Sequence, residues 1–223
     1  MTMKLIKKTI SRSGRIHIYF AGIKIISYQI SGYQDIHGRD NNISVPRSHK
    51  CQLHIHGNNN HVIIEDVPEN YSTNLTLYIG FPGAECNNCK IHIGKGTSFE
   101  QASIVVCDND TVIEIGDDCM FSFLEQIWAS DTHTIINDKK EIINIGHHVK
   151  IGNHVWVGAD VSILKNTTIG DNCILGTKSV VGGNFTKPGC VIAGNPARVV
   201  KENVNWTRQR PNEYIAGVKN ENC

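Results

Sequence analysis

The segment Ser130-Asp-Thr-His133 places a carboxylate and an imidazole two residues apart. An imidazole with a pKa of about 6.5 can remove a proton from a hydroxyl group near neutral pH, and an adjacent carboxylate can fix its tautomer. Asp131 could equally be a solvated turn residue or a substrate contact, because this separation does not guarantee contact with His133. The residue types predict His133 as a general base and Asp131 as a candidate orienting group.

A period of six residues dominates the sequence from Ile145 onward. The consecutive hexads are IGHHVK, IGNHVW, VGADVS, ILKNTT, IGDNCI, LGTKSV and VGGNFT. Such fixed-period similarity is typical of solenoids. The fifth position lies two residues before the next first position, so both side chains point to the same face of a short strand. The pattern predicts inward first and fifth positions, with Cys119 and Cys173 as core thiols.

An insertion interrupts the repeat next to His133. Weaker hexads begin at Ile93, Phe99, Ile115, Phe121 and Ile127. Counting from Ile115 ends a set of three hexads at Thr132, and regular hexads resume at Ile145. Residues 133–144 are therefore predicted to form an inserted loop. Functional side chains concentrate on loops that project from rigid scaffolds, so the position favours a functional His133 over an ordinary surface histidine.

The tandem hexads resemble those of the hexapeptide-repeat acyltransferases. The resemblance implies an all-β fold, a left-handed parallel β-helix with three hexads per coil, and covers about residues 51–200. Ser130-Asp-Thr-His133 before an insertion is similar to the catalytic-histidine segment of sugar-modifying members. The overall layout is most similar to capsular polysaccharide and sialic acid O-acetyltransferases. The resemblance implies that acetyl-coenzyme A is the co-substrate and that the protein is a homotrimer with active sites between subunits.

Three regions are predicted along the chain. Residues 1–50 alternate apolar and polar side chains without a hexad repeat, and we expect a β-rich segment that caps the solenoid. Residues 51–200 form the left-handed β-helix domain, with the inserted loop near 133–144. Residues 201–223 form a C-terminal tail, expected to be a short helix or arm.

Trp156 lies between the inward Val155 and Val157, so its indole must point outward. Ile174 follows one coil later and Ile192 lies close to the same column, which predicts an outward apolar stripe that needs a ligand or a neighbouring subunit. The setting Asn153-His-Val-Trp156 resembles the family's acetyl-donor site. The indole N–H of Trp156 is also a candidate donor to the tetrahedral intermediate.

The stretch Ala193-Gly-Asn-Pro-Ala-Arg198 resembles the motif that closes the family's last coil. The resemblance implies that Arg198 approaches the phosphates of coenzyme A, with added charge from lysines. Gly182-Gly183 replaces the family's usual Thr-Lys pair, although Gly182 would let the chain approach the pantetheine arm. The cofactor-binding residues implied in this way are Trp156, Ala159, Thr177, Lys178, Gly182, Lys187 and Arg198.

Charge and hydropathy exclude several classes of protein. The net charge is +1 and the basic residues are scattered, so no nucleic-acid partner is expected. The apolar stretch 16–30 is too short and polar to span a bilayer. Lys4, Lys7 and Lys8 leave weak contact with a membrane surface open. Without a signal-peptide pattern, a cytoplasmic location is expected.

The cysteines are predicted to be reduced thiols. Cys86-Asn-Asn-Cys89 has no second pair to complete a zinc site, so it is interpreted as a loop with two incidental thiols and no metal is assigned. An acetyl-cysteine route would require an outer thiol, such as Cys190, close to His133.

The predicted function is transfer of an acetyl group from acetyl-coenzyme A to a carbohydrate hydroxyl, with His133 as general base. The carbohydrate would be a capsular or cell-surface polysaccharide, with sialic acid-containing polymers among the candidates. One alternative is an acetyltransferase for another acceptor, an antibiotic or a nucleotide-sugar amine. The other is a β-helix metalloprotein in which His133, His148 and His154 converge across a subunit boundary.

Overall fold

The computed structural model describes residues 6–10, 15–20, 23–29, 32, 34–46 and 50–221. The first three strands form an antiparallel sheet in the order β1-β2-β3. They are β1 (Ile6–Ile10), β2 (Arg15–Phe20) and β3 (Ile23–Gln29). The β-rich character predicted for this region is present in these strands, and their capping role stays a prediction.

Two long sheets of parallel strands make up the body of the described chain. The larger sheet contains β4 (Gln34–His37), β6 (Cys51–His56), β8 (Thr73–Ile79), β10 (Ser98–Val106), β12 (Met120–Trp128), β14 (Trp156–Val157), β15 (Ser162–Leu164), β17 (Ile174–Leu175), β18 (Val180–Val181), β20 (Cys190–Gly194) and β21 (Ala197–Glu202). The smaller sheet contains β5 (Asn42–Ser44), β7 (His61–Ile64), β9 (Lys90–Ile93), β11 (Val112–Ile115), β13 (His148–Ile151), β16 (Thr167–Ile169) and β19 (Asn184–Phe185). Among the described strands of these two sheets, only β21 runs antiparallel to its neighbour, β20.

The chain coils by visiting three faces in a fixed order. It passes from the smaller sheet to one face of the larger sheet and then to the next, as in β13, β14 and β15, before it returns to the smaller sheet at β16. Pairing of Trp156 with Ile174 confirms the predicted coil of three hexads. Parallel pairing begins at Gln34 of β4, earlier than the predicted start at residue 51, because β4 and β5 already pair with β6 and β7.

Three corners separate these faces: the loop corner, the tail corner and the hairpin corner. The loop corner precedes the smaller sheet and carries the insertion, Lys165 and Gly182. The tail corner follows the smaller sheet and includes residues 152–154 and 170–172. The hairpin corner divides the larger sheet and includes residues 158–160 and 176–178, next to the β20–β21 hairpin.

Inward side chains fill the coil as the hexad pattern predicts. Ile151, Val155 and Val157 are at most 2% exposed, and Cys119 and Cys173 are core thiols as predicted. The fourth hexad position takes a positive φ, for example 59° at Asp160 and 58° at Asn172. Asp and Asn tolerate this conformation, so they provide the corner turn.

The second hexad position is glycine because a side chain would clash with the next coil. A Cβ atom at Gly158 would lie 2.8 Å from the carbonyl oxygen of Leu175 in the next coil. Close packing against the next coil therefore explains the glycine at this position, whereas the positive φ falls at the fourth position of the hexad.

Two predicted positions in the repeat differ from the structure. Ile145 is 49% exposed, because it still belongs to the end of the insertion and not to β13. Ile192 is buried, since Ile174 pairs with Val191 in a shorter final coil. The outward stripe from Trp156 therefore continues through Ile174 to Val191, and the prediction for Ile192 was wrong.

Glu125 occupies an inward, fifth position and is 1% exposed. Neither carboxyl oxygen has a hydrogen-bond partner among the described residues. Burial, with a contribution from Glu100, raises the pKa of Glu125 to about 8. The carboxyl group is therefore neutral at pH 7, which avoids the large cost of an unpaired buried charge.

Glu125→Gln is expected to change how stability depends on pH. Because the folded-state pKa is raised, wild type loses stability as pH rises from about 4.5 to about 8, whereas the amide does not titrate. Melting temperatures measured from pH 5 to 9 should show that the stability of the variant increases relative to that of wild type as the pH rises across this window. Parallel curves for the two proteins would contradict a buried, titrating Glu125.

The tail folds back along the tail corner before it ends in a helix. Trp206 donates from its indole N–H to the His154 carbonyl oxygen at 2.7 Å and stacks on the His154 ring. Arg208 donates to Asp118 at 3.1 Å and lies over the Tyr71 ring. Helix α1 (Pro211–Glu221) follows, so the tail is both an arm and a helix. Within the described chain, no helix is long and apolar enough to cross a membrane.

Candidate active site

His133 lies at the start of the insertion on the loop corner. The Thr132 hydroxyl lies 2.6 Å from the Asp131 carbonyl oxygen, to which it donates its single proton. The same hydroxyl is 2.9 Å from Nδ1 of His133, so it can only accept there. We infer that Nδ1 carries the ring proton. The lone pair of Nε2 is then available to a substrate.

Asp131 acts on the loop and does not contact the imidazole. Its Oδ2 atom accepts from Lys165 Nζ and from Asn144 Nδ2, and Asn144 also donates to the His133 carbonyl oxygen at 2.8 Å. The hydrogen bond from Lys165 holds the pKa of Asp131 below its usual value. Asp131 therefore joins the two ends of the insertion, and Thr132, which the sequence did not suggest, takes the orienting position at the ring.

The insertion forms a short hairpin with an apolar surface. Ile136 and Ile142 pair in an antiparallel bridge, and the Ile143 amide donates to the Ile135 carbonyl oxygen at 3.0 Å. These four side chains are 51–61% exposed. Solvated loops seldom present four neighbouring isoleucines, so this surface is suited to contact with another molecule.

A groove of about 470 Å³ lies beside His133. It is formed where several coils pass the loop corner. Its lining residues are Glu85, Cys107, Asp108, Asn109, Asp110, Ser130, Asp131, Thr132, His133, Thr134, Ile142, Asn144, Ile145 and His147. Carboxylates accept hydrogen bonds from hydroxyl groups, and amides both accept and donate them, so the groove can hold a polar, hydroxyl-rich molecule.

Cys107 is a groove residue that the sequence analysis did not place near the histidine. Burial raises the pKa of its thiol to about 11, and Asp108 adds to the effect. The thiol is therefore protonated near neutral pH and is a poor nucleophile. Cys190, the outer thiol suggested by the sequence, is instead buried, and its Sγ lies 3.6 Å from the Pro188 carbonyl oxygen.

The hairpin corner brings together four of the predicted cofactor-binding residues. Ala159 and Thr177 occupy equivalent positions in successive coils, and the Lys178 amide donates to the Ala159 carbonyl oxygen at 2.9 Å. Arg198 pairs with Ala193 in the adjacent β20–β21 hairpin. This corner therefore carries Arg198 and Lys178, and Nζ of Lys178 already lies 3.3 Å from the Asp160 carboxylate. A guanidinium beside a small-residue turn is suited to an anionic ligand.

Trp156 stands at the start of the face that leads to this corner. The indole is 37% exposed, and its N–H points at the Ser122 hydroxyl at 3.4 Å. Trp206 of the tail lies beside it, with ring centroids 6.2 Å apart. The sequence predicted the outward direction but not the contact with the tail.

Two predicted cofactor-binding residues lie elsewhere in the protomer. Gly182 is on the loop corner, where it follows β18. Lys187 is on the tail corner and pairs with Glu202. The chain therefore does not collect the whole predicted set at one place, because residues in different thirds of a coil lie on different corners.

The remaining polar candidates have other surroundings. Cys86 and Cys89 lie in the loop between β8 and β9, as predicted, and their thiols are buried, which raises their pKa values to about 12 and 11. Both ring nitrogens of His154 are engaged, by Asp118 at 2.7 Å and by the Trp206 carbonyl oxygen at 3.0 Å. A metal ion shared by His154 with His133 and His148 would have to replace one of these two hydrogen bonds.

Comparisons with known proteins agree with the coil and the hexads. The family model for the bacterial transferase hexapeptide (six repeats) matches residues 148–183. The solved structure of the polySia-specific acetyltransferase NeuO is 26% identical, covers 85% of this chain and 94% of its own, and superposes with a TM-score of 0.65. The resemblance predicted from the sequence is confirmed.

A second solved structure leads to the same group of proteins. The polysialic acid O-acetyltransferase OatWY is 29% identical, with 84% of this chain and 98% of that chain covered and a TM-score of 0.54. No curated protein sequence matches the chain. The similarity to hexapeptide-repeat acetyltransferases thus extends over most of the chain, well beyond the repeats matched by the family model.

Proposed function

We propose that the protein is an acetyl-coenzyme A-dependent O-acetyltransferase that acts on a carbohydrate hydroxyl. The observation that carries the proposal is the position of His133 in the lining of a polar groove, with its Nδ1 atom 2.9 Å from the Thr132 hydroxyl. The two polysialic acid acetyltransferases make a capsular or cell-surface polysaccharide the acceptor class of choice. We also propose that the coil is left-handed.

In the proposed reaction, Nε2 of His133 removes the proton from the acceptor hydroxyl. The oxygen then attacks the thioester carbonyl, and the C–O bond forms before the C–S bond breaks. The resulting imidazolium returns the proton to the departing thiolate, which leaves as coenzyme A. General-base assistance of this kind contributes about 10²–10⁴-fold to the rate. The Thr132 hydroxyl keeps the ring proton on Nδ1 while Nε2 accepts the proton of the acceptor hydroxyl.

The proposal needs two protomers for each site. His133 lies on the loop corner, whereas Lys178 and Arg198 lie on the hairpin corner of the same protomer. A donor molecule held at the hairpin corner of one protomer can meet the loop corner of the next in a cyclic trimer. The exposed isoleucines of the insertion would then contact the neighbouring protomer, which accounts for their apolar character.

The transfer is proposed to be direct, without an acetyl-cysteine. The Cys107 thiol is in the groove but stays protonated, so Cys107→Ser is expected to retain turnover within about threefold of wild type. Initial rates under varied concentrations of both substrates test this prediction. Severe loss of turnover, together with an acetylated Cys107 in the intact mass of wild type, would support a two-step route instead.

The test of the proposed function is release of coenzyme A thiol from acetyl-coenzyme A by the purified chain. The acceptors are polysialic acid, neutral capsular glycans, simple galactosides and a hydroxylated antibiotic, with a reaction lacking acceptor as the blank. Turnover with one polymer, and a new O-acetyl group on it by NMR, is the expected result. Turnover with the antibiotic alone, or with none of the acceptors, would contradict the proposal.

A further inference from the structure

The outer face of the first coil carries a group of three side chains that bind metals in other proteins. Asp35 and His37 lie on β4 and alternate onto the same face. The parallel register pairs His37 with His56 of β6. Their ligand atoms all lie within 4.8 Å of one another, and no other group of this kind occurs among the described residues.

One carboxylate faces both imidazoles. Asp35 Oδ1 is 2.8 Å from Nε2 of His37, and Asp35 Oδ2 is 3.7 Å from Nε2 of His56. Ligand atoms around tetrahedral zinc lie about 3.3 Å apart, given bonds of about 2.0–2.2 Å. The two distances involve different oxygens of Asp35, and the three ligand atoms lie within 4.8 Å of one another. An ion would therefore draw the side chains closer together.

The two imidazoles differ in how firmly they are held. Their rings stack with centroids 4.7 Å apart and an interplanar angle of 13°. The His56 side chain is only 12% exposed, whereas that of His37 is 64% exposed. His56 therefore provides a fixed ligand. His37 can tilt about its outer bonds until its lone pair converges on the same point.

We propose that Asp35, His37 and His56 bind one divalent transition-metal ion of the Zn²⁺ class, with water in the remaining position. Two imidazoles and a carboxylate are a known ligand set for zinc sites with an open position. The site is independent of the acetyl-transfer proposal, because it lies on other strands and shares no residue with the groove.

The expected role of the ion is to hold the first coil on the second. Among the described strands, β4 lies at the edge of the larger sheet and β6 is its one partner. Edge strands open more easily than central ones. Because the ligands come from both strands, β4 cannot separate without breaking the site, so metal binding stabilises their pairing.

Titration of the full chain with Zn²⁺, without a polyhistidine tag and after removal of metal by chelation, tests the site. Wild type should bind one ion, and His37→Ala and His56→Gln should each weaken binding at least about tenfold. His61→Ala, an exposed histidine on β7 outside the group, is the matched control and should bind as wild type does. No binding by wild type, or equal binding by the His37 and His56 variants, would overturn the proposal.

Hydrogen exchange tests the structural role. With free Zn²⁺ at 100 times its dissociation constant, amides that exchange through separation of β4 from β6 should slow by about 100-fold. The same amides should not respond in His37→Ala. Exchange in wild type that is unchanged by bound Zn²⁺ would overturn the proposed clamp.

Discussion

His133→Ala is expected to lower turnover by about 10²–10⁴-fold while the protein stays folded. The imidazole is exposed on the loop corner, so its removal leaves no cavity in the coil. It does remove the Nε2 lone pair that the hydroxyl of Thr132 keeps available. Steady-state rates of coenzyme A release should show the loss in kcat, with little change in KM for acetyl-coenzyme A.

His61→Ala is the control for this variant, since His61 is an exposed histidine on the smaller sheet, away from the groove. It should match wild type in both rate and melting temperature. Turnover of His133→Ala within a few-fold of wild type, with an unchanged melting curve, would remove His133 from the mechanism. Loss of folding in His133→Ala would instead show that the residue is structural.

Ile151→Asp is expected to prevent folding of the coil. Ile151 is 2% exposed and packs inside the solenoid. A carboxylate there would lose its water without gaining a partner, at a cost of several kcal/mol. The free energy of unfolding of a domain is only about 5–15 kcal/mol, so this single change removes most or all of it. The β-structure signal in circular dichroism and the yield of soluble protein should both be largely lost.

His148→Asp is the matched control, because His148 lies on the same strand but faces outward. The same carboxylate in water costs little, so this variant should fold and melt close to wild type. If both variants fold equally well, the inward and outward assignment of the hexad positions is wrong. If neither folds, β13 is intolerant of aspartate for reasons other than burial.

Local pattern was sufficient to predict much of the coil. Val155 and Val157 were predicted inward and Trp156 outward because alternation in a strand fixes the direction of each side chain. The pattern failed at both ends of the regular repeat. Ile145 still belongs to the insertion, and a coil shortened by one residue turned Ile192 inward. A single-residue change of length reverses the face of every later side chain, and hexad identity alone does not reveal it.

The active site was predicted only in part. The position of His133 followed from the insertion, which is a feature of sequence spacing. The partner of Asp131 did not, because Lys165 comes from the following coil. The presence of Cys107 in the groove likewise depends on which residues of successive coils meet at one corner. Tail residues Trp206 and Arg208 were missed as contacts because no repeat predicts where an arm folds back.

The sequence by itself determined the repeat, the inward side chains, the insertion and the histidine at its base, since each follows from local spacing and side-chain alternation. The parallel coil was implied by the resemblance of the hexads to a known family. Only the tertiary structure decided that Asp131 joins the ends of the loop, that Thr132 contacts the His133 ring and that Gly182, Lys178 and Lys187 occupy different corners. It also brought Asp35 and His37 beside His56. These contacts join residues that are distant in sequence, and their register depends on coil lengths that vary along the chain.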